Sequence, residues 1–242
     1  MNKEKLILIL KCGMTYKNLQ PEFGDFDDWI IEGMGAQKED CSVVDVYKNQ
    51  KLPVHEKIAA VVITGAHSMI TDKTGWLENS IGWVRQAVEE KVPVLGICFG
   101  HQLLGLSLGG KVGFNPNGLE YGTVPIKCAA NKKHDPLFQD FPRRFKAHVC
   151  HAQAILQMPS GATRLASSEL DPNQILAYGD NAWGVQFHPE FSVPVAREYI
   201  RQDERPLRRH GKNVEKMIAE VESTPHSAEI LKKFHARATK TE

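Results

Sequence analysis

At 242 residues, 42% apolar and 24% charged, the chain suits one ordinary α/β domain with room for a helical appendage. A formal net charge of +1 makes no electrostatic case for nucleic acid or an anionic membrane as a partner, and no apolar run approaches the ~18 residues of a membrane span. Five cysteines (Cys12, Cys41, Cys98, Cys128 and Cys150) show no Cys-x-x-Cys spacing, which argues against a disulfide framework or a zinc site and for a reducing, cytoplasmic setting.

The N-terminus, Met1 to Lys5 and then Leu6 to Leu10, lacks the long apolar region and cleavage site of a signal peptide. Leu6–Lys11 is predicted as a buried strand ended by Gly13, at the strand end where α/β proteins place ligands. Phe26, Trp29 and Ile30 repeat at helical spacing, with Gly33 and Gly35 expected to close that helix. Ser42–Tyr47 and Ile58–Ile63 read as further strands. The latter runs into Thr64-Gly65-Ala66-His67-Ser68, where a glycine lets backbone approach a ligand, although an ordinary βα turn would look the same. Leu77, Ile81, Val84 and Val88 mark Trp76–Glu90 as an amphipathic helix. This alternation predicts a doubly wound, mainly parallel sheet.

Next comes Val92-Pro93-Val94-Leu95-Gly96-Ile97-Cys98-Phe99-Gly100-His101-Gln102-Leu103-Leu104. An apolar strand leads into an apolar helix ended by Gly109-Gly110. Cys98 lies at the junction with Gly96 and Gly100 two residues to either side. G-x-C-x-G has the spacing of a nucleophile elbow, in which small neighbours make room for a strained turn. A cysteine at a helix N-terminus is favoured as thiolate, and the N–H of Phe99 is free to face a developing oxyanion.

From Lys111 the pattern changes to turns (Asn115-Pro116-Asn117-Gly118, His134-Asp135-Pro136) between short extended runs. Those runs are Thr123–Cys128, Phe145–Cys150, Thr163–Ser167, Ile175–Tyr178 and Trp183–Phe187, a smaller mixed or antiparallel part. The last run continues to His188-Pro189-Glu190. Read as extended chain, it places His188 and Glu190 on one face, so that the carboxylate accepts from Nδ1 and Nε2 is left for the thiol. His67 is read as a loop histidine. Beyond Ser192 the chain is expected to be helical. Val214, Met217, Ile218 and Val221 form one stripe. Thr224-Pro225 opens a second helix with Ile230, Leu231 and Phe234, and Arg205, Arg208, Arg209 and His210 read as a solvated linker.

Gly-Ile-Cys-Phe-Gly-His-Gln-Leu-Leu together with Gly-Val-Gln-Phe-His-Pro-Glu resembles the class I (triad-type) glutamine amidotransferases, and the chain is similar to stand-alone members like the glutaminase domain of GMP synthase. The resemblance covers roughly Leu6 to Glu198. It implies a flavodoxin-like α/β fold, with residues 1–198 as the amidotransferase domain and 199–242 as a helical extension packed on it. It implies a triad of Cys98, His188 and Glu190, and a γ-amide hydrolysed through a thioester. The oxyanion donors it implies are Gly65, with Ala66, beside Phe99. Gln102, Ala66, His151 and Glu120 are the expected substrate contacts, Glu120 having a solvated turn carboxylate as its alternative. Related enzymes commonly read Ser-His-x-Asp where this chain has Cys150-His151-Ala152-Gln153, so a neutral amide replaces a carboxylate suited to an α-ammonium group.

No metal or organic cofactor is implied. The favoured reading is a glutaminase that supplies ammonia to an acceptor on a separate synthetase subunit. The alternative is a stand-alone hydrolase of γ-glutamyl amides, such as glutathione conjugates; a regulatory binding protein without turnover ranks last. The C-terminal helices are expected to pack on the domain, a lid or homodimer contact being the alternative.

Overall fold

Strands that will be covered on both faces need aliphatic side chains at every position, and the N-terminal half of this chain supplies them. The computed structural model describes residues 5–72 and 74–239; Met1 to Glu4 of the N-terminal reading lie outside them. In chain order the elements are β1 (Leu6–Lys11), α1 (Gln20–Phe23), α2 (Phe26–Met34), β2 (Cys41–Asp45), β3 (Ile58–Ile63), α3 (Gly75–Glu89), β4 (Val94–Ile97) and α4 (Phe99–Ser107). There follow β5 (Lys111–Phe114), β6 (Glu120–Cys128), β7 (Arg144–His151), β8 (Gln153–Gln157), β9 (Thr163–Ser167), β10 (Ile175–Tyr178) and β11 (Ala182–Val185). The chain closes with α5 (Val193–Gln202), α6 (Glu204–Arg209), α7 (Val214–Ala219) and α8 (Pro225–Ala238).

The main sheet has nine strands in the order β2-β1-β3-β4-β11-β10-β9-β6-β7. From β2 to β11 every pairing is parallel, and from β11 to β7 every pairing is antiparallel. The antiparallel strands therefore continue the parallel sheet. Alternation along β1 sends Ile7 and Ile9 into a core with α2 and α8, and Leu8 and Leu10 into a core with α3 and α4. A third cluster joins α5, α6 and α7 to Phe26, Trp29 and Phe191. No helix among the described residues is long and apolar enough to cross a membrane.

Several expectations need correction. Gly33 does not end α2. It lies inside the helix, where a Cβ would come 2.4 Å from Leu231 Cδ1 of α8, and the left-handed cap is Gly35 at φ +66°. β2 stops at Asp45, because Val46–Lys48 turns as a 3-10 helix. The short β5–β8 ribbon was not anticipated, its strands being too brief to show a period. β11 ends at Val185 and pairs in parallel with β4 as well as antiparallel with β10. The tail holds four helices where two were expected. The arginine-rich stretch is α6, anchored by the fully buried Leu207.

The α2–α8 contact supplies a stability test. In a solvent-facing helix Gly→Ala would gain up to about 1 kcal/mol of helix propensity. At Gly33 the added methyl meets Leu231, so Gly33→Ala is expected to lower the unfolding free energy by roughly 1–3 kcal/mol in urea titration. A variant as stable as the parent would show that the two helices do not meet there.

Candidate active site

The carboxyl ends of the parallel strands β1, β3, β4 and β11 lead into the Gly13 loop, the Gly65 loop, Cys98 and the His188 segment respectively. Cys98 connects β4 to α4 with φ +50° and ψ −102°, a left-handed conformation that costs a non-glycine residue of the order of 1–3 kcal/mol. The flanking glycines are required by contact. A Cβ on Gly96 would lie 2.4 Å from Gly100 O, and one on Gly100 would lie 2.3 Å from Ile63 O. The turn is pinned by Cys98 N–H donating to Val185 O at 2.8 Å and by Gln102 N–H donating to Cys98 O at 3.1 Å.

The pairing of Val185 with Ile97 brings the chain after β11 alongside Cys98. His188 and Glu190 do not share a strand face, contrary to the extended reading, because Pro189 and Glu190 form a turn. The turn still brings them together: His188 Nδ1 lies 2.7 Å from Glu190 Oε1. With Nδ1 donating to the carboxylate, Nε2 is left for Cys98. His188 N–H donates to His148 O at 2.8 Å, and Phe191 stacks on the ring at 4.1 Å between centroids. Burial opposes the charge on His188, but Glu190 and Cys98 outweigh it and push its pKa up to about 10. Glu190 Oε2 is buried without a hydrogen-bond partner among the described residues.

Phe99 opens α4, so its N–H has no acceptor one turn back. In the Gly65 loop, the Thr64 hydroxyl accepts from Cys12 N–H at 3.0 Å and donates to Gly65 O at 2.8 Å. Fixing that carbonyl directs the Ala66 N–H of the same trans peptide the opposite way. Gly65 packs on the histidine: a Cβ there would sit 3.1 Å from His188 Cε1.

The remaining candidates are placed differently from expectation. Gln102 lines the cavity, but its Nε2 is spent on Gln153 O at 2.8 Å and Gln186 Oε1 at 3.1 Å, leaving only its amide oxygen for a ligand. Glu120 is neither a solvated carboxylate nor a cavity wall. It is buried, with Oε2 3.0 Å from His151 Nε2 and accepting from Gln174 Nε2 at 2.7 Å. His151 also donates from Nδ1 to Gln153 O at 3.0 Å, so both its nitrogens are engaged although it lines the cavity. Gln153 is turned towards the loop after β3, with Oε1 accepting from Ile70 N–H at 3.1 Å and Nε2 donating to Thr71 Oγ1 at 2.7 Å. The glutamine that stands where a carboxylate is common thus ties two segments together.

Cys98 opens into a cavity of ≈ 420 Å³ that Ala66, Phe99, Gln102, His151 and Gln153 also line. Tyr16, Tyr121, Asp203 and Leu207, none of which the sequence singled out, line it as well. Tyr121 lay beside the noted Glu120, but Leu207 comes from the stretch read as linker and Asp203 from just before it, where nothing local signals a pocket. His67 packs against Tyr16 at 4.3 Å between centroids, the rings tilted by 39°, and burial lowers its pKa. Among the described residues no group of three or more His, Cys, Asp or Glu is placed to hold a metal ion.

The sequence model of the glutamine amidotransferase class-I family matches residues 22–204. The chain is 31% identical over 186 residues to one of the subunits of the glutamine-hydrolysing GMP synthase of Saccharolobus solfataricus, covering 75% of this chain and 89% of that protein. It is 31% identical over 147 residues to γ-glutamyl peptidase 5 of Arabidopsis thaliana, covering 60% of this chain and 59% of that protein. The crystal structure of a glutamine amidotransferase from Thermotoga maritima superposes with a TM-score of 0.79 at 22% identity, covering 99% of this chain and 100% of that one, a likeness of fold.

The raised pKa of His188 has a consequence for stability. Between its ordinary value of 6.5 and about 10 the folded state holds a proton that the unfolded state has released. The stabilisation from His188 is therefore complete below pH 6.5 and declines as pH rises through that window. Glu190→Gln removes the strongest raising influence, so it should flatten the decline between pH 6.5 and 9.5 in urea unfolding. An unchanged slope would mean that Glu190 does not hold the proton on His188.

Proposed function

This chain belongs to the class-I glutamine amidotransferase family, and from that premise we propose that it hydrolyses γ-glutamyl amides, glutamine being the simplest, through a thioester on Cys98. The observation that carries the reading is the strained Cys98 beside an imidazole whose other nitrogen is bound to a buried carboxylate. The Cys98 thiolate attacks the γ-carbonyl carbon and forms the C–S bond. The Phe99 N–H and the Gly65–Ala66 loop receive the negative oxygen. As the tetrahedral species collapses, the C–N bond breaks and His188 Nε2 gives its proton to the leaving nitrogen, releasing ammonia or an amine. Water then loses a proton to His188 and attacks the thioester. The C–S bond breaks, and glutamate leaves with the thiolate restored.

Two fates of the leaving group remain. Likeness to a GMP synthase subunit from Saccharolobus solfataricus supports delivery of ammonia to a separate synthetase subunit, the reading favoured on sequence alone. The cavity wall beyond Cys98 supports a substituted leaving amine, and the second reading is the better matched to the site. All five cysteines are free, which is consistent with a reducing, cytoplasmic setting.

The test is a turnover assay on the purified chain with glutamine and a series of γ-glutamyl amides. Cys98→Ser should lose nearly all activity against each while remaining folded. Glu190→Gln should lower kcat more than it raises KM, as a defect of the transition state. A substituted amide should exceed glutamine in kcat/KM by about tenfold, roughly 1.4 kcal/mol. Retained activity in Cys98→Ser would sink the thioester, and a preference for glutamine would restore the ammonia-supply reading.

A further inference from the structure

One part of the cavity lining has a chemistry that the thioester steps do not use. Asp203, at the junction of α5 and α6, is gripped by two phenols: Oδ1 accepts from Tyr16 Oη at 2.7 Å and Oδ2 from Tyr121 Oη at 2.7 Å. Burial first, and then Asp203 for Tyr16 and Cys150 followed by Asp203 for Tyr121, hold both phenols far above their ordinary pKa, so they remain donors. Each carboxylate oxygen keeps a lone pair beyond the one its phenol uses. Asp203 is the sole acidic residue among the described residues lining this cavity, and neither Lys nor Arg lines it. The imidazoles near it are His67, which burial keeps towards its neutral form, and the exposed His210 at the rim. A carboxylate oriented by two donors, with no cation against it among the described residues, is a receptor for one.

The position of this wall follows from the proton's route. His188 protonates the leaving nitrogen, so a substituent on that nitrogen lies on the His188 side of Cys98. From the His188 ring an aromatic series runs through Phe191 at 4.1 Å, Tyr199 at a further 4.5 Å and Tyr16 at a further 5.2 Å between centroids. Tyr121 joins the same group, its hydroxyl also donating to Tyr199 O at 3.1 Å. The series ends on the two phenols that hold Asp203. Gln102, His151 and Ala66, where the family resemblance places the glutamyl portion, line the same cavity from α4, β7 and the oxyanion loop.

We propose that Asp203, clamped by Tyr16 and Tyr121, anchors an ammonium group carried by the leaving amine, so that the preferred substrates are γ-glutamyl amides of diamines or of other amines with a second positive charge. This rests on the γ-glutamyl hydrolysis proposed above and names its substrate class. It also gives the segment beyond residue 198 a part in specificity, since Asp203 belongs to it.

The experiment uses the full chain and three substrates: glutamine, γ-glutamyl pentylamide and γ-glutamyl aminobutylamide. The last two match in length and differ by an ammonium in place of a methyl group. The unmodified protein should favour the aminobutylamide over the pentylamide by about tenfold or more in kcat/KM, the scale of one charge-assisted hydrogen bond at a half-exposed site. Asp203→Asn preserves shape and should bring that ratio close to one. Equal kcat/KM for the two amides in the unmodified protein would overturn the proposal without needing the variant. A loss in Asp203→Asn that falls equally on glutamine and both amides would overturn it as well, by showing that Asp203 serves the α-ammonium or the fold. Failure to hydrolyse any of the three would sink the thioester reading along with it, which separates the two kinds of failure.

Discussion

The close crossing of α4 over the ends of β3 and β4 is the constraint on which the site depends. Gly100 lies so near Ile63 O, and Gly96 so near Gly100 O, that neither position has room for a methyl group. Only with both side chains absent can Cys98 occupy its left-handed turn at the tip of β4. The strain at Cys98 is held by the core on either side, where β4 and the first half of α4 are buried throughout. The turn sets the sulfur at the head of the helix, beside the N–H of Phe99. Packing therefore fixes where the nucleophile stands, and a small adjustment of the crossing would move sulfur and oxyanion donor together.

The second requirement is met by strand order. β11 is far from β4 in sequence yet is its parallel neighbour, so the residues after Val185 emerge at the same sheet edge as Cys98. His188 is then fixed from several directions: by the His148 carbonyl at its backbone, by Phe191 on its ring face and by Glu190 at Nδ1. Taking an ion pair out of water is costly, and the cost is borne here by a short, well-aligned contact. The C-terminal helices complete the enclosure. α5 sets Tyr199 against Phe191, and the start of α6 brings Asp203 and Leu207 into the cavity.

The sequence makes legible those parts of the protein whose chemistry is local. The aliphatic strands, the amphipathic α3, the glycine-flanked cysteine and the His188–Glu190 pair each carry their signal within a few residues, although the pair meets through a turn and not along an extended strand. Side-chain partners drawn from distant segments were not legible. Gln102, Glu120 and Gln153 have the right residue types for ligand contact, yet their polar atoms are engaged by Gln186, His151 and Thr71, which lie far away in the chain. Gly33 looked like a helix end because a glycine has that meaning locally, whereas its reason is Leu231 on another helix. Asp203 gave no sign at all, since its meaning depends on two tyrosines more than eighty residues distant.

The central claim is that acyl transfer passes through the sulfur of Cys98. Rapid acid quenching of the protein mixed with a γ-glutamyl amide, followed by mass spectrometry of the digested chain, tests it most directly. The account predicts a γ-glutamyl adduct, formed and lost within the turnover time, on the peptide containing Cys98. Sustained turnover with that peptide unmodified at every quench time, or an adduct on one of the other four cysteines, would contradict it.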